Sequence, residues 1–218
     1  MRRRILVINP SPSEVPTGLL ADRAQRIAGK RAEVVAVAAL HDIPMLRSSD
    51  DHNCAGLEVV RLITANPTFD AVIIGAFGDP GLGEAQGVAP MPVFGLGQSG
   101  LSRAAEGGRP FAIVMPGETT RVTVERAVAR AGLGCQVVAL HLLDVPAAHP
   151  DKGQAAFLKA AMDVLPGCIE AGAEAVLFGG AAFAGIEALI GGDHAAAIVD
   201  GLTSAMRCAL EDLSLRQG

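Results

Sequence analysis

Short apolar runs alternate with longer amphipathic segments along the whole chain. The runs are 4–9 (RILVIN), 33–40 (EVVAVAAL), 71–77 (AVIIGAF), 92–95 (PVFG), 111–115 (FAIVM), 136–143 (QVVALHLL), 174–180 (EAVLFGG) and 196–200 (AAIVD). Most are apolar at every position rather than at alternate ones. They therefore predict strands buried on both faces, as in a parallel sheet covered by helices. Helical periodicity predicts helices over 18–29, 55–66, 82–88, 99–106, 119–131, 154–171, 183–190 and 202–215. Thr119-Thr120, with Glu125 beyond, reads as a helix start, and Gly132 and Gly134 read as its stop. Strand–helix alternation implies βαβ units with right-handed crossovers.

The pattern also repeats. The run at 71–77 has a counterpart at 175–181, 104 residues on. The run at 92–95 has one at 197–200, and the run at 4–9 has one near 110–115. These spacings predict an α/β fold of two pseudosymmetric three-layer lobes, each a mainly parallel sheet flanked by helices, with a cleft between them. The lobes are expected at 1–95 with 202–218, and at 96–201. No Pro- or Ser-rich linker separates them, so they should pack tightly. Ligands of parallel sheets sit at the carboxyl ends of the strands, so two facing lobes would surround one cleft.

Composition narrows the classes. Hydrophobic residues make up 50% of the 218 and charged residues 19%, which excludes a disordered chain. The net charge is −5, and Trp and Tyr are absent, so neither a basic face nor stacking platforms for nucleic acid are expected. No stretch approaches the ~20 apolar residues of a membrane span. The apolar run Ile5–Ile8 behind the basic tip is too short for a signal-peptide core. Cys54, Cys135, Cys168 and Cys208 have no metal-ligand spacing and read as free thiols of a cytoplasmic protein. No metal and no cofactor is expected.

Four loops carry the candidate chemistry: 8–13 (INPSPS), 75–82 (GAFGDPGL), 114–121 (VMPGETTR) and 177–185 (LFGGAAFAG). Each is rich in small residues, hydroxyls or backbone N–H groups, and each precedes a helix N-terminus. Converging, they suit a small carboxylate or an imide. Singly, each is explained by a tight βα turn. Asp79 and Glu118 are the candidate proton carriers, because a carboxylate in a dry cleft can act as a base. Their plainer readings are a turn before Pro-Gly for Asp79 and a favourable helix-start charge for Glu118. His41, His52, His141, His149 and His194 read as surface or satisfied histidines. Ser11, Ser13 and Thr119 read as hydrogen-bond donors, since no base adjoins them. GLGQSG at 95–100 matches G-x-G-x-x-G after a strand, with Glu118 following. In a chain with 26 glycines, it reads better as the connection between lobes than as a dinucleotide site.

AFGDPGL at 76–82, INPSPS at 8–13, and VLFGGAAFAG at 176–185 followed by VDG at 199–201 resemble the aspartate/glutamate/hydantoin racemase superfamily. The hydantoin and allantoin racemase branch is the nearest in pattern. The match runs in order along essentially the whole chain. The resemblance implies cofactor-independent proton transfer at a carbon acidified by a carbonyl, carried out by two cysteines, one from each lobe. The family's two cysteine positions fall here on Ala76 and Gly180, and neither residue carries a proton. Loop 9–13 and Met115-Pro116 also depart from the family's Asn-Pro-Asn-Thr-Ser and Thr-pair patterns. The resemblance further implies substrate binding by Asn9, Ser11, Ser13, Ala76, Phe77, Gly78, Thr119, Thr120, Gly180 and Ala181, and a homo-oligomer. The expected function is a racemase- or epimerase-like enzyme, or a divergent lyase or hydrolase, working without a thiol pair. Its substrate would be a small carboxylate or a hydantoin-like ring. The alternative is a non-catalytic small-acid binder that keeps the cleft.

Overall fold

Two four-stranded parallel sheets carry the fold, and they share one strand order. The computed structural model describes residues 2–43, 46, 48–144, 154–190, 194 and 196–216. The first sheet contains β1 (Arg3–Asn9), β2 (Ala32–Ala38), β3 (Ala71–Ile74) and β4 (Val93–Gly95), in the order β2-β1-β3-β4. The second contains β5 (Phe111–Pro116), β6 (Val137–Leu143), β7 (Ala175–Phe178) and β8 (Ala197–Asp200), in the order β6-β5-β7-β8. The repeat read from the sequence is thus a repeat of topology. Register follows it: Ile5 lies opposite Ala71, and Phe111 opposite Ala175.

Helices cover both faces of each sheet. They are α1 (Glu14–Ala28), α2 (Ser49–Ala65), α3 (Leu82–Val88), α4 (Leu96–Ala104), α5 (Arg121–Ala131), α6 (Gln154–Glu170), α7 (Ile186–Ile190) and α8 (Gly201–Leu215). Neighbouring strand residues point to opposite faces. Ile5 and Val7 pack with Leu20 and Ala24 of α1 and Met206 of α8, while Leu6 and Ile8 pack with Val59 and Ile63 of α2 and Leu82 of α3. In the second sheet, Ala112 and Val114 meet Phe157 and Leu165 of α6, and Phe111 and Ile113 meet Val124 of α5. This two-sided burial is why the strands read as unbroken apolar runs.

Two helices cross between the sheets. α4 follows the first sheet, yet its Leu101 and Ala104 join the core on the second. α8 follows the second sheet, yet its Leu202, Ala205 and Met206 join the core on the first. The halves therefore hold one another through exchanged helices.

Several element boundaries differ from the sequence reading, each for a local reason. α2 begins at Ser49 rather than at 55, because Ser48 forms a capping box with Asp51. α1 begins at Glu14 rather than at 18, since Pro16 is tolerated in a first helical turn. α4 begins at Leu96, directly off β4, rather than at 99. β3 ends at Ile74 and β7 at Phe178, because the glycines that follow them turn the chain. A short 3-10 turn over Glu118–Thr120 precedes α5, and Gly132, at φ 68°, closes it.

Candidate functional site

The loops after β3 and β7 leave their sheets in the same way. The Gly75 N–H donates to Ile8 O at 2.7 Å, and the Gly179 N–H donates to Val114 O at 2.9 Å. The next residues, Ala76 and Gly180, are therefore structural counterparts in the two halves. Phe77 bridges them. Its ring is buried in the second sheet's core with Met115 and Leu177, although it stems from the first sheet. A Cβ placed on Gly179 would lie 2.8 Å from Phe77 Cδ2, so the glycine makes room for the ring. Gly180 has φ 87° and ψ 160°, a conformation open essentially to glycine alone.

Asp79 lies under the start of α4. Its carboxylate accepts the Gly97 N–H at 2.9 Å and the Gln98 N–H at 2.6 Å. α4 has Gly95 at its N-cap and no side-chain cap of its own, so Asp79 supplies one from a distant loop. The residue is 6% exposed and holds a left-handed φ of 48°. Burial pushes its carboxyl up to about 7, against the pull of the two N–H donors and of the Arg130 charge. This arrangement also decides how 95–100 is used. The α4 N–H groups that would cradle a pyrophosphate already hold Asp79. A Cβ on Gly97 would overlap Phe77 O, so the glycine serves the approach of the 77–79 loop.

The other expected site residues are placed as follows. Asn9 is buried, with both ends of its amide used within its own loop and the first turn of α1. Its Nδ2 donates to Ser13 O and to Thr17 Oγ1, and its Oδ1 accepts from the Ser11 N–H and hydroxyl. Ser13 stands at the N-cap of α1 without a side-chain cap bond. Thr120 Oγ1 donates to Gly117 O at 2.8 Å, and Thr119 is exposed beside it. Ala181 opens a 3-10 turn after Gly180 and packs against the first sheet's core. Glu118 is exposed and paired with Arg121, which holds its carboxyl below the usual range. His41 donates from Nε2 to Pro10 O at 2.8 Å and accepts the Ile43 N–H at Nδ1. His141 lies on β6, and its Nε2 is buried without a partner among the described residues. His149 lies outside the described residues.

A cavity of about 730 Å³ lies on α2, α3, α4 and α5. Gly78 and Asp79 line it; Asn9, Ser11, Ser13, Ala76, Phe77, Thr119, Thr120, Gly180 and Ala181 do not.

Sequence reasoning missed two groups that position these loops. Arg23 of α1 donates to Ala182 O and Ala184 O, tying the first half to the 181–185 loop. Burial pushes its guanidinium down from its ordinary value, and the nearby Asp200 opposes that shift. Asp200 is fully buried, caps α8 by accepting the Thr203 N–H at 2.8 Å, and reaches back to the Glu187 N–H at 3.3 Å. The Asp-Gly at the end of β8 was its only signal, a strand end followed by a helix start.

The model of the Asp/Glu/Hydantoin racemase family matches residues 5–209. The chain belongs to this family. A hydantoin racemase of Paenarthrobacter aurescens is 28% identical over 214 residues, covering 94% of this chain and 89% of that protein. The allantoin racemase from Klebsiella pneumoniae superimposes with a TM-score of 0.89 at 26% identity, over 98% of this chain and 89% of that one. A glutamate racemase from Bacillus anthracis shares the fold, with a TM-score of 0.67 at 16% identity over 99% and 83% of the two chains. Among the described residues of this racemase-family chain, no group of three or more His, Cys, Asp or Glu is arranged to hold a metal ion, and no helix is long and apolar enough to cross a membrane.

Proposed function

We propose that this racemase-family chain is a cofactor-independent enzyme that moves a proton at a carbonyl-activated carbon without a pair of thiols. Its substrate would be a hydantoin-like ring or a small carboxylate. The similarity to a hydantoin racemase and an allantoin racemase supports the ring. The observation that carries the reading is the matched placement of Ala76 and Gly180 in the loops after β3 and β7, with the buried Asp79 carboxyl, pushed up to about 7, three residues beyond Ala76. A group with a pKa close to the working pH is an efficient acid and base. Glu118 is the lesser candidate, since Arg121 keeps it ionised at the surface. Ser13, Thr119 and the N–H groups after Gly180 would bind substrate oxygens and the enolate that develops. A homo-oligomer belongs to the same reading, and sedimentation velocity tests it.

The test is proton NMR in D₂O with 5-substituted hydantoins, allantoin, aspartate, glutamate and arylmalonates. Catalysed loss of an α-proton signal or a new product is expected, with exchange abolished in Asp79→Asn. Exchange that survives in Asp79→Asn would remove Asp79 from the mechanism.

One observation favours a second reading. Ala76 and Gly180 bear no titratable group, and both Asp79 oxygens are engaged by α4. A binder that retains the cleft would show ligand line-broadening with neither exchange nor product.

A further inference from the structure

The cavity of about 730 Å³ draws its walls from both halves of the molecule. Ser49 and His52 come from the first turn of α2, Gly78 from the loop after β3, and Arg126 and Arg130 from α5. The two arginines are one helical turn apart, so they share a face. Arg126 donates to Ser49 Oγ, and Arg130 donates from Nη2 to Gly78 O at 3.3 Å. Among the described residues, neither guanidinium has a carboxylate oxygen within 4.0 Å. Arg121, on the same helix but outside the cavity, is held by Glu118. Each guanidinium has five N–H donors, so both keep donors to spare at the rim. The α2 N-terminus is closed by the Ser48–Asp51 capping box and carries Asp50 and Asp51 in its first turn, so the positive lining comes from the two arginines. The acidic wall residues are Asp79, whose oxygens are turned to α4, and the exposed Glu84.

We propose that this cavity binds a small molecule bearing a multiply charged oxyanion, gripped by the Arg126 and Arg130 forks with Ser49 Oγ as a further donor. Planar guanidinium forks match the geometry of phosphate and carboxylate oxygens. The cavity volume is that of a small-molecule site. A ligand spanning α5 and the start of α2 would fasten the two halves together beside the 77–79 loop. The site needs no turnover in the cleft, so it stands or falls separately from the proposed reaction.

Calorimetry on the full chain with inorganic phosphate, pyrophosphate and citrate tests it. The first two against citrate distinguish a phosphate from a carboxylate ligand. Saturable one-to-one binding of at least one probe is expected. The R126Q/R130Q variant should weaken it about tenfold per guanidinium. R26Q/R216Q, which removes the same charge from exposed helix pairs elsewhere, should leave it unchanged. Equal weakening by both variants would show general charge attraction and overturn the proposal. So would the absence of saturable heat with all three probes. Amide NMR of the wild-type chain gives a readout independent of any variant. Phosphate or citrate should shift the Ser49, Gly78 and Ser102 signals, and shifts confined to other regions would refute the site.

Discussion

Asp79 and Asp200 cap opposite helices by exchanged routes. Asp200 ends β8 and caps the helix that follows it, through Thr203. The matching strand end in the first half is Gly95, which has no side chain, and Asp79 reaches in from the loop after β3 to accept from Gly97 and Gln98. The two halves thus solve one problem, unsatisfied N–H groups at a buried helix start, with carboxylates from different elements.

Asp79 should make stability depend on pH. Its folded pKa is about 7, above the value of about 3.9 expected unfolded. Between these values the folded state binds more protons, so stability falls as pH rises from about 4 to 7. The contribution lost is roughly 4 kcal/mol. Urea unfolding of wild type should give a higher free energy at pH 5 than at pH 8. Asp79→Asn should flatten that difference and, by losing one acceptor, cost about 1 kcal/mol at pH 5.

Gly97→Ala should be among the most damaging single substitutions. Its new methyl overlaps Phe77 O, a backbone atom that cannot swing aside. A loss of about 3 kcal/mol or more is expected from this overpacking, read as a lowered urea midpoint. NAD and NADH should produce no thermal shift in the wild-type chain, because Asp79 already occupies the N–H groups at the start of α4.

Placing cysteine at position 180 should cost stability before it adds chemistry. The nearest atoms to a Cβ there are 3.8 Å away, so space is not the obstacle. The obstacle is the backbone, at φ 87° and ψ 160°. Gly180→Cys should lose about 1–3 kcal/mol, a fall of a few degrees in Tm by calorimetry. A Gly180→Cys chain that melts with the wild type would mean the loop had changed conformation.

Arg23→Met should loosen the 181–185 loop. It keeps the length of the stem and removes the donors to Ala182 O and Ala184 O. A cost of about 1–3 kcal/mol follows from leaving partly buried carbonyls unpaired. Amide hydrogen exchange should quicken at 182–186 and remain unchanged on β2.

Much of the architecture was legible because burial on both faces leaves an unmistakable pattern. Leu6 and Ile8 must be apolar for α2, and Ile5 and Val7 for α1 and α8, so β1 shows no polar alternation. The early start of α2 was also written in the chain, as Ser48 and Asp51 three apart, but polar residues there masked the helical period. The expected site residues were legible as loops and not as a constellation. Asn9 shows why: a polar residue at a strand end serves its own turn as readily as a ligand.

The sequence by itself determined the strands, the two-fold repeat and the loops that follow β1, β3, β5 and β7, since periodicity and turn chemistry act over a few residues. Tertiary structure alone decided that Asp79 lies beneath α4, that Phe77 fills the opposite core, that α4 and α8 exchange sheets, and that Arg126 and Arg130 overlook a cavity with Ser49. Those relationships join residues at least 18 positions apart. They depend on how the packed layers orient each loop, and no local pattern of residue types encodes that orientation.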